Sequence, residues 1–120
     1  MGGALDAVLP QRCFACGAGS GGEVLCDDCR AELPGRGRAR CPVCAIEQPG
    51  GLVCGACVIT PPPFGASCAA LDYAFPVDRM VQALKYAHRL SLSRLFVELM
   101  AEAPCPQADL VVPMPLHPAR

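Results

Sequence analysis

Cys13-Phe14-Ala15-Cys16, Cys26-Asp27-Asp28-Cys29, Cys41-Pro42-Val43-Cys44 and Cys54-Gly55-Ala56-Cys57 are four C-x2-C pairs in a row. Nine residues separate the first pair from the second, and nine separate the third from the fourth. Adding 28 to positions 13, 16, 26 and 29 gives 41, 44, 54 and 57, so the stretch is an internal duplication of C-x2-C-x9-C-x2-C. Zn²⁺ favours four ligands in a tetrahedron, with Zn–S bonds of about 2.3 Å. Two cysteines three positions apart curl around one metal in a tight turn, and a second pair returned by a hairpin completes the shell. The first intervening loop carries Gly19-Ser20-Gly21-Gly22 and the second Pro49-Gly50-Gly51, turn residues near each tip. The spacing therefore predicts two short strands and a turn in each loop. Gly17, directly after Cys16, suits the positive φ of a knuckle turn.

The segment needs the metal to fold. Between Cys13 and Cys57 the large apolar residues are Phe14, Val24, Leu25, Leu33, Val43, Ile46, Leu52 and Val53, too few to offset the entropy of ordering the chain. Structural zinc contributes about 10–16 kcal/mol of apparent binding energy in small peptides. A shell of four cysteines leaves no position for water, so such a site is structural and not catalytic. The equal loops favour pairing in sequence, Cys13/Cys16/Cys26/Cys29 and Cys41/Cys44/Cys54/Cys57. A cross-braced arrangement, with Cys13, Cys16, Cys41 and Cys44 on one ion, stays open, as do thioredoxin-like redox pairs and an iron–sulfur cluster. Cys68 and Cys105 lie outside the repeat and read as ordinary buried thiols.

The chain has 120 residues and a formal net charge of −1. Eight thiolates contribute −8 and two Zn²⁺ ions +4, which takes −1 to −5. That charge, with six aromatic residues in all, disfavours a nucleic-acid surface. Arg30, Arg36, Arg38 and Arg40 crowd the stretch between the quartets, as a solvated connector, as compensation for the anionic centres or as a small phosphate-binding patch. No apolar run approaches the roughly 18 residues that span a bilayer, and Met1–Leu9 lacks the basic start and long apolar core of a secretory signal. The expected compartment is the cytoplasm, where ten cysteines argue for metal rather than a disulfide framework.

Thr60-Pro61-Pro62-Pro63-Phe64-Gly65 reads as a stiff linker. Beyond it, Ser67–Tyr73 reads as a short strand. Met80, Val81, Leu84 and Ala87 recur at helical spacing through about His88, after a Pro76 that suits a helix start. A second helix is expected from about Ser91, its N-cap, with Leu92, Leu95, Phe96, Leu99, Met100 and Ala103 on one face, ended by Pro104 and Pro106. Asp109-Leu110-Val111-Val112-Pro113 has the continuous apolar run of a strand buried on both faces of a parallel sheet. About fifty residues supply few neighbours for such a strand, so this half reads as the opening of a domain whose remainder is missing.

The two quartets, Cys41-Pro42-x-Cys44, the Pro-Pro-Phe linker, Leu84-Lys85-Tyr86 and Val112-Pro113-Met114-Pro115-Leu116-His117-Pro118-x-Arg120 together resemble the ComF family. Those proteins have a double zinc ribbon followed by a phosphoribosyltransferase-like domain. Two differences stand out. Ala87-His88 takes the place of a basic residue and a turn former, and the family's donor-binding loop lies beyond Arg120. The resemblance implies a metal-stabilised, β-rich double zinc ribbon over residues 10–60, with sites at 13–29 and 41–57, and a linker at 61–66. It places the incomplete N-terminal part (strand, two helices, strand) of an α/β transferase-like domain at 67–120. By the same resemblance, His117 and Arg120 belong to a pyrophosphate loop. Two zinc ions per chain are expected. The function implied is a binding or scaffold module linked to DNA uptake, with a protein partner, single-stranded DNA or the missing part of the transferase domain. The alternative is the front half of an enzyme acting on phosphoribosyl pyrophosphate.

Overall fold

The computed structural model describes residues 11–115. Met1–Leu9, on which the signal-peptide reading rests, and Leu116–Arg120, with His117 and Arg120, lie outside the described residues.

Local chemistry sets two short helices directly on the cysteines. Helix α1 (Asp27–Ala31) starts from an extended Cys26 (φ −69°, ψ 161°), with Asp27 and Asp28 in its first turn and Arg30 in its last. Those charges complement the partial charges at the helix ends. Helix α2 (Gly55–Ile59) starts the same way from Cys54 (φ −72°, ψ 157°). Pro49–Gly51 forms a 3-10 turn, with Gly50 at φ 78°. Farther on, α3 (Val77–Tyr86) follows Pro76 and buries Val77 and Met80. Helix α4 (Ser91–Glu102) buries Leu92, Leu95 and Leu99, the inner part of the expected apolar face, while Met100 is exposed. Ser91 is its first helical residue rather than its cap. The Ala87-His88 departure also has a structural meaning. His88 takes φ 52°, the left-handed turn for which glycine is usual, and Arg89 N–H donates to the Ala83 carbonyl across it (3.2 Å).

The β-rich and α/β fold class expected from the sequence is not what forms. The described residues contain no strand, only two isolated antiparallel bridges, Arg12↔Gly19 and Arg40↔Glu47. In each loop the knuckle turn begins one residue after the bridge. At the other end, Gly21 and Gly22 (φ 62° and 92°) and the Pro49–Gly51 turn leave no extended run to continue a ladder. Ser67–Tyr73 is irregular as well. Ser67 N–H donates to the Pro42 carbonyl (3.3 Å) and Asp72 N–H to the Pro34 carbonyl (2.9 Å), contacts to loops and not to a strand. Asp109–Pro113 has no partner strand, and Leu110, Val111 and Val112 are 77%, 82% and 76% exposed. A run of that composition becomes a buried strand only where neighbours pair with it.

The chain divides into two compact units: Met1–Arg36 with Leu71–Glu98, and Gly37–Ala70 with Leu99–Arg120. Each therefore contains one cysteine quartet and part of the C-terminal half, and the 61–66 stretch lies in the second. The first unit buries Leu25, Leu33, Val77, Met80, Leu92 and Leu95 alongside Cys13. Arg30 of α1 pairs with Glu98 of α4 at 3.1 Å, and the Arg89 guanidinium lies 5.4 Å from the Phe14 ring centre. The second unit has another kind of core, the sulfur-bearing residues Cys41, Cys54 and Cys57, with Val43 and Cys44 packed against them.

Candidate metal centres

Both centres are built from one hydrogen-bond scheme repeated 28 residues apart. In the first, Cys13 N–H donates to the Ala18 carbonyl (2.7 Å), Gly17 N–H to Cys13 (2.9 Å) and Ser20 N–H to Gln11 (3.2 Å). In the second, Cys41 N–H donates to Ile46 (2.8 Å), Ala45 N–H to Cys41 (2.9 Å) and Gln48 N–H to Ala39 (2.9 Å). The helix starts also match: Arg30 N–H reaches Cys26 (2.9 Å), and Val58 N–H reaches Cys54 (3.1 Å). Each knuckle needs one left-handed residue. Gly17 supplies it at φ 75° and, unexpectedly for a residue with a Cβ, Ala45 supplies it at φ 64°. The sequence held the signal for Ala45, since it stands 28 residues after Gly17.

The sulfur atoms converge in sequence order, which settles the pairing against the cross-braced alternative. The Sγ atoms of Cys13, Cys16, Cys26 and Cys29 all lie within 4.8 Å of one another, as do those of Cys41, Cys44, Cys54 and Cys57. Tetrahedral geometry with Zn–S bonds of about 2.3 Å requires sulfurs about 3.8 Å apart. Cys16 and Cys26 are 3.8 Å apart and Cys44 and Cys54 are 3.7 Å apart. The two quartets thus fit two zinc ions. In the second centre the Cys54 N–H also donates to the Cys41 sulfur (3.3 Å), which stabilises the thiolate that a metal requires.

Without metal the quartets hold their protons unequally. Burial pushes the Cys13 thiol up, but the Cys16, Cys26 and Ala15 backbone N–H groups outweigh it and bring it down to about 6. The Cys44 and Cys54 backbone N–H groups likewise bring Cys41 down to about 6. At the far end of each quartet the direction reverses. The Cys26 and Cys16 side chains raise Cys29, and burial together with the Cys44 and Cys54 side chains pushes Cys57 up to about 12. A divalent cation displaces those last protons, so its binding strengthens as pH rises.

The arginines between the quartets are engaged. Arg30 pairs with Glu98, Arg36 donates to the Arg30 carbonyl (2.9 Å), Arg38 contacts both Glu47 carboxylate oxygens (3.0 and 2.8 Å) and Arg40 donates to the Ala45 carbonyl (3.1 Å). Arg40 thereby holds the strained knuckle residue. Cys68 and Cys105 are not the buried thiols expected. Both are exposed and joined by a disulfide, with Cα atoms 5.4 Å apart. Prolines at 61–63, 104 and 106 keep these segments irregular, and nothing in the spacing marked the two cysteines as a pair.

Comparison with known families matches residues 4–58 to the double zinc ribbon domain. The matched stretch holds both quartets, so its zinc-binding character rests on geometry and family likeness together. No curated protein and no solved structure matches the chain. Among the described residues, no helix is long and apolar enough to cross a membrane.

Proposed function

We propose that this chain is a zinc-held binding and scaffold module of the cytoplasm, acting with a protein partner of the DNA-uptake machinery, the setting that the ComF resemblance implies. Metal in a closed four-sulfur shell shapes a surface and performs no chemistry. The observation that carries the reading is the apolar exposure around the second quartet. Leu52, Val58, Ile59 and Ile46 are 70%, 66%, 83% and 58% exposed, on the repeat whose four cysteines converge as metal ligands. Such a surface suits a protein better than single-stranded DNA. Phe64 is the only exposed aromatic between Arg38 and Ala70 on which a base could stack, and the metal-loaded charge is −5 after eight thiolates and two Zn²⁺ are added to −1.

The test is V58D/I59D in a naturally transformable host, with zinc content and DNA uptake both measured. Uptake should fall while two zinc ions per chain remain. Normal uptake by this variant would refute the reading. Tight, salt-sensitive binding of oligodeoxythymidylate by the purified chain would move the partner from protein to nucleic acid.

A further inference from the structure

We propose that the Cys68–Cys105 disulfide is a thiol-exchange site, and that its opening by a dithiol frees residues 103–115 from the second quartet without disturbing either metal centre. Three observations lead there. First, the two kinds of cysteine differ in what holds them. Cys68 and Cys105 are exposed and bonded only to each other, whereas the other eight converge as metal ligands, with Cys16 alone of them exposed. Zinc shields the ligand sulfurs from a thiol reagent, and an exposed disulfide is the labile kind.

Second, the bond is the tie. Ser67, beside Cys68, is anchored to the second knuckle through its N–H to the Pro42 carbonyl (3.3 Å). On the other side, the hydrogen bonds of residues 103–115 are local ones: Ala103 N–H to Met100 (3.2 Å) and Cys105 N–H to Ala103 (2.8 Å). The disulfide is the covalent tie between this segment and the one anchored on the second knuckle, closing a loop of 37 residues' separation. Third, there is room for attack. A cavity of about 310 Å³ opens at Cys68, walled by Cys41, Pro42, Ser67 and Pro104.

The chemistry balances with one dithiol as co-reactant. Its thiolate attacks one sulfur of the pair, forming a mixed disulfide and expelling the other sulfur as a thiolate, which takes a proton. The second thiol then displaces the remaining cysteine. Two electrons and two protons pass from the dithiol to the protein, and the dithiol leaves as its cyclic disulfide. The released segment carries Leu110, Val111, Val112 and Met114, which are 76–88% exposed. In a reducing compartment the open form prevails and in an oxidising one the closed form. The inference stands whether or not the partner proposed above exists.

The experiment uses the full, zinc-loaded chain and dithiothreitol. Before reductant, iodoacetamide should label neither Cys68 nor Cys105. After mild reduction it should label these two and no other cysteine, with two zinc ions per chain retained. Proteolysis within 103–115 should quicken about tenfold. C68S/C105S should be cleaved at the fast rate from the start and ignore dithiothreitol. If this variant fails to fold, labelling and cleavage of the wild-type chain decide the matter. Labelling of both residues before reduction, resistance of the bond until denaturant is added, release of zinc in step with reduction, or an unchanged cleavage rate would each overturn the proposal.

Discussion

The two repeats share a backbone and differ in what they bury. Gly17 and Ala45, the bridges Arg12↔Gly19 and Arg40↔Glu47, and the helices on Cys26 and Cys54 superimpose by register alone. Yet Leu25 is 3% exposed and its counterpart Val53 is 41% exposed. Leu33 is buried at 4%, where the second copy has Pro61. Phe14 N–H donates to the Val24 carbonyl (2.8 Å), a bond the second copy lacks because Pro42 has no N–H. Metal ligation thus fixes the local path of the chain. Residues that touch no metal decide whether the repeat is buried within a helical unit or left as a surface.

Metal removal should expose this difference most strongly. The second unit's core is mainly its ligand residues, so chelation removes the about 10–16 kcal/mol that zinc contributes, with little beyond Leu99 and Val43 to replace it. The amides of Cys41, Ala45 and Gln48 should then exchange as fast as in an unfolded chain. That of Met80, bonded to the Pro76 carbonyl (3.0 Å) in the helical unit, should stay slowed. Equal loss in both units would break the contrast. Next in size is the matched pair Leu25→Ala and Val53→Ala. Truncating the buried leucine should cost about 2–5 kcal/mol, and the half-exposed valine less than about 1 kcal/mol, read from unit-resolved hydrogen exchange of the zinc-loaded protein.

The sequence made the ligands legible because coordination chemistry fixes residue type and spacing together. It made α3 and α4 legible because Met80, Val81 and Leu84, and Leu92, Leu95 and Leu99, sit at helical intervals with prolines at the ends. That periodicity nonetheless misses the buried Val77 and takes in Ala87, which caps α3. Strands were another matter. Leu110-Val111-Val112 has the right composition, but a strand exists only through a neighbour, and no residue type records whether one is present. The nine-residue loops failed as hairpins for a local reason, since Gly21, Gly22 and Gly50 take positive φ where a ladder would have to continue. The unequal burial of the repeats and the Cys68–Cys105 bond depend on tertiary proximity, which the 28-residue period does not encode.

Smaller effects sharpen the comparison at single positions. No heavy atom lies within 4 Å of a Cβ added at Gly17, so Gly17→Ala is opposed by backbone conformation alone and should lose about 1–2 kcal/mol. The reverse change, Ala45→Gly, relieves the same conformation. It also gives up a buried methyl worth about 0.8 kcal/mol and adds unfolded-state freedom, so it should come out near neutral. Zinc-competition titration against a chromophoric chelator would read both; a large gain from Ala45→Gly would mean that the Arg40 contact does not offset the strain.

The smallest effect belongs to Arg30–Glu98, because the second copy has Val58 where the first has Arg30. The Arg30 guanidinium, then that of Arg94, holds the Glu98 carboxyl below its ordinary range. A carboxyl depressed by folding contributes stability above its unfolded pKa, and that contribution disappears as pH falls through the folded one. Glu98→Gln should therefore melt slightly below the wild type at pH 7. The gap should close on acidification, in samples whose zinc content is checked at each pH. A gap that persists at low pH would assign Glu98 a packing role in place of an electrostatic one. The second unit, with Val58 at the matching position, should exchange at the same rate in Glu98→Gln and in the wild type at each pH.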